Sequence, residues 1–147
     1  MAENKNLIGR KVWEFTKTNY NYTLNKEKTY IIVDVTNDGM TFVLEDEDEN
    51  RKEVDYYDVV VCPRKSWKGV DQIDDYLKHN GVYPEDVSSN GEESIRVEIE
   101  WGDWKHDHIW CDNLMSYIGY TCGDSVVTDE NGSDCYSAIH YYYKNQN

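Results

Sequence analysis

In the run Ser94-Ile-Arg-Val-Glu-Ile-Glu-Trp101, apolar and charged residues alternate without a break. Ile95, Val97, Ile99 and Trp101 face one way, and Arg96, Glu98 and Glu100 face the other. A period of two belongs to a strand with one buried face and one wet face. A buried face must lie against a second layer, so the pattern excludes an all-helical fold. The same alternation recurs near the N-terminus. Val12, Glu14 and Thr16 oppose Trp13 and Phe15; Ile31, Val33 and Val35 share a face, as do Met40, Phe42 and Leu44. Between the last two runs stands Asn37-Asp38-Gly39, residues that tolerate positive φ and so mark a hairpin.

These signals predict an α+β fold in three segments. Residues 1–62 read as an antiparallel β-meander of three or four strands, SH3-like, with residues 18–28 as a long loop and residues 51–61 as one strand. Residues 63–93 read as a connector with a short helix, because Val70, Ile73 and Leu77 recur at helical spacing before an Asn80-Gly81 stop. Residues 82–93 read as a polar loop. Residues 94–147 read as a β-α-β-β unit with one covering helix, from about Trp104 to Ile118. Two strands follow it, starting at Asp124, around an Asn131-Gly132 turn.

Charge bounds the function. The chain of 147 residues carries 29 acidic and 15 basic residues, a net charge of -14. Affinity for nucleic acid comes mainly from Lys and Arg contacts to phosphate, so direct binding of DNA or RNA is not expected. An anionic membrane surface is disfavoured for the same reason. Basic proteins and cations remain. Disorder is excluded by 13 Tyr and 5 Trp, since disordered chains are poor in aromatics. No secretory h-region and no membrane-spanning apolar run is visible, so the expected location is the cytoplasm. There the four cysteines, Cys62, Cys111, Cys122 and Cys135, which form no C-x-x-C pair, are expected as free thiols.

Chemistry concentrates in Gly102–Met115, which holds Trp104, His106, Asp107, His108, Trp110 and Cys111. Most of it reads as structure. Cys111, Leu114, Met115 and Ile118 form an apolar stripe, Asp103 suits an N-cap, and Gly119 suits a C-terminal stop. Two residues apart on a helix, His106 and His108 diverge by about 200°. They share a ligand only if the helix begins after them. His140 on the final strand is the partner that would complete a site. An alternative ligand site is therefore drawn from Trp101, Trp104, His106, His108 and His140. It would bind a nucleotide signal or a metal, with Asp107 or Asp134 as the carboxylate. A nucleophile at Cys111 or Cys135 is less favoured, because nothing in the sequence lowers a thiol pKa. No catalytic residue, resident cofactor or committed metal ligand emerges from any enzyme motif.

The acidic residues form the main candidate surface. Glu45, Asp46, Glu47, Asp48 and Glu49 make the longest run of one sign, at the tip of a hairpin. With Asp55, Asp58, Glu98 and Glu100 they could lay carboxylates on a rigid scaffold, as a phosphate backbone does. In the last 55 residues, the motifs "VEIEWGDWKHDH", "LMSYIGY" and "GSDCYSAIHYYY" resemble the C-terminal part of small proteins from phages and mobile elements of low-GC Gram-positive bacteria. That resemblance implies an anti-restriction or anti-CRISPR character and carries over no catalytic residue. The expected function is thus a non-enzymatic inhibitor. Its partner would be the basic surface of a nucleic-acid-processing protein, such as a CRISPR nuclease.

Overall fold

A computed structural model describes residues 6–18, 21–91, 93–100, 108–130 and 136–145. The chain divides into two compact units, Met1–Cys62 and Pro63–Asn147. It is α+β, with two antiparallel sheets, as the alternation requires.

The first unit is one sheet of five strands: β1 (Lys11–Thr18), β2 (Asn21–Thr36), β3 (Thr41–Glu45), β4 (Arg51–Asp55) and β5 (Val59–Val61). Their order is β4-β3-β2-β1-β5. Strands β1 to β4 form the expected meander, and β5 returns to pair with the open side of β1. The segment 51–61 is therefore two strands rather than one. No single strand can lie at both edges of a sheet, so a 3-10 turn at Tyr56–Asp58 separates them. Asn37, Asp38 and Gly39 all take positive φ (54°, 54° and 90°) and join β2 to β3 as expected.

Two details differ from the sequence reading. Of the segment read as a loop, Thr18 and residues 21–28 are strand: Phe15 lies opposite Leu24 and Lys17 opposite Tyr22, in a long β1–β2 ribbon. Tyr20, Tyr22 and Leu24 do recur every second residue, but among polar Asn, Thr, Lys and Glu that also suit a loop. The face of β2 is also split, so that Ile31 and Val35 do not share it. Tyr30, Ile32 and Val35 are buried, while Ile31 is 44% exposed. An irregularity in the β2–β3 register between Ile32 and Asp34 shifts the pleat by one residue, and such a shift moves every later side chain to the other face. The core collects Leu7, Val12, Tyr30, Ile32, Val35, Phe42, Leu44, Val59 and Val61. Each such side chain, fully buried, stabilises the fold by roughly 1.5–3 kcal/mol.

The second unit orders α1 (Gly69–Lys78), β6 (Asp86–Ser89), β7 (Ser94–Glu100), α2 (His108–Tyr117), β8 (Tyr120–Glu130) and β9 (Tyr136–Lys144). Its sheet runs β6-β7-β9-β8. Residues 82–93 are not wholly loop, because β6 pairs with β7 from Asp86↔Glu98 to Ser89↔Ile95. Helix α1 buries Ile73 and Leu77, as its spacing predicts. It stops at Gly81, φ 95°, where the Val82 amide donates to the Leu77 carbonyl and the Gly81 amide to that of Lys78. That pair of bonds caps a helix whose C′ residue is left-handed. The two helices are tied together. The Tyr76 hydroxyl donates to the Leu114 carbonyl (2.6 Å), and Trp110 Nε1 donates to the Asn80 carbonyl (2.8 Å). In α2 the stripe holds: Cys111, Leu114 and Met115 are fully buried. Gly119, φ 94°, ends the helix. The expected cap at Asp103 and the turn at Asn131-Gly132 lie outside the described residues. Among those described, no helix is long and apolar enough to cross a membrane.

Candidate functional site

Strand β9 carries the site. Its inner face presents Ala138, His140 and Tyr142, all buried, opposite Ile99, Val97 and Ile95 of β7. Its outer face leaves Tyr143 41% exposed, as tyrosines on both faces of this strand require. On the other side β9 pairs with the edge strand β8, where the register slips between Cys122 and Asp124. The extra residue is Gly123. Cys122 pairs with Tyr142 and Ser125 with His140, so two residues three apart share the inner face. A bulge is the device that does this. The sequence reading began β8 at Asp124; the strand begins four residues earlier, at Tyr120.

A chain of polar contacts results. His140 Nε2 lies 2.7 Å from His108 Nδ1 on α2. His140 Nδ1 lies 2.7 Å from Ser125 Oγ, and Ser125 Oγ lies 3.4 Å from Cys122 Sγ. One turn along α2, the Tyr142 hydroxyl donates to Asp112 Oδ1 (2.5 Å) and contacts Cys111 Sγ at 3.3 Å. Burial pushes the His140 imidazole below its ordinary value; Asp112 opposes the shift and His108 adds to it. A neutral His140 makes one donor and one acceptor. Burial, with Cys111 and Asp112 beside it, pushes the Tyr142 hydroxyl far above the usual phenol range, so it stays protonated. Burial also raises the Cys122 thiol, opposed by Ser125 and reinforced by Asp112 and Asp124. A raised thiol pKa is the opposite of what an activated nucleophile needs.

Of the ligand residues expected from sequence, His108 and His140 come together, each about 5–6% exposed. Trp101, Trp104 and His106, with Asp107 and Asp134, lie outside the described residues, as does Cys135. Cys62, Cys111 and Cys122 are free thiols. The sequence reading missed Asp112, Cys122 and Ser125 as site residues, and took Tyr142 only as one of the strand's aromatics that a partner could stack on. They converge from α2, β8 and β9, and no linear spacing records that. The one available signal was a glycine inside an apolar-bounded run, Thr121-Cys122-Gly123-Asp124-Ser125, since glycine within a strand often marks a bulge.

The expected acidic contacts divide. Glu45 holds Arg51 at 2.8 Å. Asp46 is structural: its Oδ1 accepts the amides of Asp48 (2.9 Å) and Asn50 (3.0 Å), and Lys28 Nζ lies 3.4 Å from Oδ2. These contacts, Asn50 first, hold its carboxyl below the usual range. Glu47, Asp48 and Glu49 are exposed at the tip. Asp55 and Asp58 are exposed near the end of β4 and the turn after it, and Glu100 is exposed on β7 beside a half-buried Glu98. Glu85, not singled out from the sequence, joins them. Glu100 first, then burial and Glu98, push its carboxyl above the ordinary value.

The chain matches no protein-family model, and neither curated proteins nor solved structures give a match.

Proposed function

We propose that this is an acidic binding protein of phage or mobile-element type. Acting in the cytoplasm, it inhibits a nucleic-acid enzyme of host defence, such as a CRISPR nuclease or restriction enzyme. It does so by occupying the enzyme's basic nucleic-acid-binding surface. The observation that carries this reading is the crowding of three carboxylates at one place on the sheet: the Glu85 amide donates to the Glu98 carbonyl (2.8 Å), and Glu85 shares a side-chain hydrogen bond with Glu100. Like charges held together cost stability unless a cation relieves them. The nearby cation, Arg96, is already shared between Asp86 (2.6 Å) and Glu98 (3.1 Å). A lysine- or arginine-lined channel would supply the rest.

The surroundings fit a protein contact. On the same outer sheet face as Glu98, Val126 is 52% and Tyr143 41% exposed. In the first unit Ile31 borders a groove with Glu45, Asp46 and Glu47. Apolar or aromatic anchors beside charged rims are the composition of a recognition surface. Glu45 and Asp46 are engaged within the hairpin, as Glu98 is with Arg96, so the exposed carboxylates Glu47, Asp48, Glu49, Asp55, Asp58, Glu85 and Glu100 lead the contacts and Glu98 stands beside them.

The test is charge reversal of Glu47, Asp48, Glu49, Glu98 and Glu100 to lysine, assayed against a panel of defence nucleases. Inhibition should be lost, and the wild-type association rate should fall steeply with salt. Unchanged inhibition, or an association rate insensitive to salt, would sink the mimicry mechanism.

A further inference from the structure

We propose that the seam between α2 and the β8–β9 edge binds one divalent transition metal ion of the zinc class, held by Asp112, Cys122 and His140. Their ligand atoms all lie within 4.8 Å of one another. Zinc bonds of about 2.0–2.3 Å in a tetrahedron bring ligand atoms roughly 3.3–3.8 Å apart, so a contraction of about 1 Å closes the set. Cys122 on an edge strand and Asp112 on the helix surface, both half-buried, can move that far by rotamer adjustment. One nitrogen, one sulfur and one carboxylate oxygen is a donor set that suits zinc and excludes calcium or magnesium, which take oxygen.

The supporting contacts are those a metal site needs. Two ring nitrogens 2.7 Å apart must share one proton. When His140 Nε2–H donates to His108 Nδ1, the Nδ1 lone pair of His140 points toward Ser125 and Cys122. A ligating histidine usually has its other nitrogen held in this way. His108 is thus a positioning residue. Asp112 is oriented likewise by the Tyr142 hydroxyl on Oδ1, and a carboxylate has lone pairs to spare for a cation. Ser125 Oγ, 2.7 Å from His140 Nδ1, occupies the lone pair that the metal would take, so its hydroxyl must turn aside on binding, and water supplies the fourth ligand. On binding, the Cys122 S–H bond breaks, its proton passes to solvent, and a sulfur–metal bond forms. The Gly123 bulge is what makes the set possible, because without it Cys122 and Ser125 would point to opposite faces.

The site is independent of the acidic surface, and each can fail without the other. The experiment uses the full chain, stripped with chelator and titrated with zinc alone and with cobalt(II) as a spectroscopic stand-in. Zinc should bind at one equivalent and raise the melting temperature, and cobalt should show thiolate-to-metal charge-transfer absorption. Cys122→Ser should abolish that absorption, while Cys62→Ser in the other unit should keep it. His108→Gln and Tyr142→Phe, which remove no ligand, should weaken binding about 10–100-fold. His140→Gln should abolish binding; should that buried substitution unfold the protein, Cys122→Ser decides alone. Absence of a thiolate band in the wild type, or zinc affinity unchanged in Cys122→Ser, overturns the proposal.

Discussion

The two units bury different materials. The core of the first is mainly hydrocarbon, built on Val12, Ile32, Phe42 and Leu44, with Tyr56 edge-on to Phe42 (5.9 Å); its buried charge, among the described residues, is Arg10, whose guanidinium donates to the Cys62 carbonyl (2.7 Å). The second buries the apolar stripe of α2 together with His108, His140, Asp75, Asn80 and the hydroxyls of Tyr76 and Tyr142. An apolar core needs only volume and pattern. A core of hydrogen-bonded polar groups needs every partner in place, because one lost partner leaves a desolvated group behind. Nature tolerates that risk where the polar groups have work to do. The second unit therefore has more to lose from the removal of a single polar partner than the first.

The comparison can be broken most directly by truncation in the first core. Phe42→Ala should cost about 3–5 kcal/mol, the usual loss for a fully buried aromatic. Amide exchange resolved by mass spectrometry should show the first unit opening; equal protection in wild type and variant would contradict a packing-dominated core. The counterpart in the second unit is Tyr142→Phe, which keeps the ring and deletes only the hydroxyl. A hydrogen bond to a charged group is worth about 1.5–3 kcal/mol, so urea denaturation should register a loss of that order. A neutral outcome would mean that Asp112 is satisfied by water and that the polar core is less demanding than its geometry suggests.

Smaller effects sharpen the contrast. In metal-free protein, the second unit should weaken as the pH falls below about 6.5, the ordinary value of a histidine. The folded state holds the His140 imidazole below that value, so the unfolded state binds more protons there. The lost stability is fully present above pH 6.5. Melting followed between about pH 7 and pH 5 should show this in wild type, and a His140→Gln variant that folds should show a flatter profile. Loss confined to the first unit would reverse the assignment. Least of all, Lys52→Ala removes an exposed pair with Glu14 (2.7 Å) and should cost under about 1 kcal/mol. The difference should shrink in molar salt without vanishing, because Lys52 also lies over the Tyr30 ring (4.6 Å), as a thermal melt with and without added salt would reveal.

Legibility in the sequence followed the same division. Where burial is by hydrocarbon, alternation was enough to find β1, β3 and β7, and the spacing of Ile73 and Leu77 was enough to find α1. It failed at Ile31, because a register shift is invisible in composition, and over residues 21–28, where the short period of Tyr20, Tyr22 and Leu24 is followed by the polar run Asn25 to Lys28. His108 and His140 could be paired as candidates because histidine is chemically conspicuous. Asp112, Cys122, Ser125 and Tyr142 could not. Each is an ordinary residue until one glycine re-phases an edge strand and two other elements bring partners to it. The acidic tip was legible as a charge run, but not that Asp46 would spend its carboxylate on the turn itself.

That glycine has a further consequence. Strand β8 is the last of its sheet, with Val126 and Val127 more than half exposed beside its free side. A flat strand of this kind would be a template on which a second copy could add in register. An added residue breaks the spacing of its outward-facing amides and carbonyls and twists the edge away. A side chain at position 123 would also run into the Tyr143 ring, whose Cδ2 lies 2.6 Å from a Cβ built there. The irregularity that gathers the polar cluster therefore also interrupts the edge, and a second slip between Val127 and Asp129 interrupts it again.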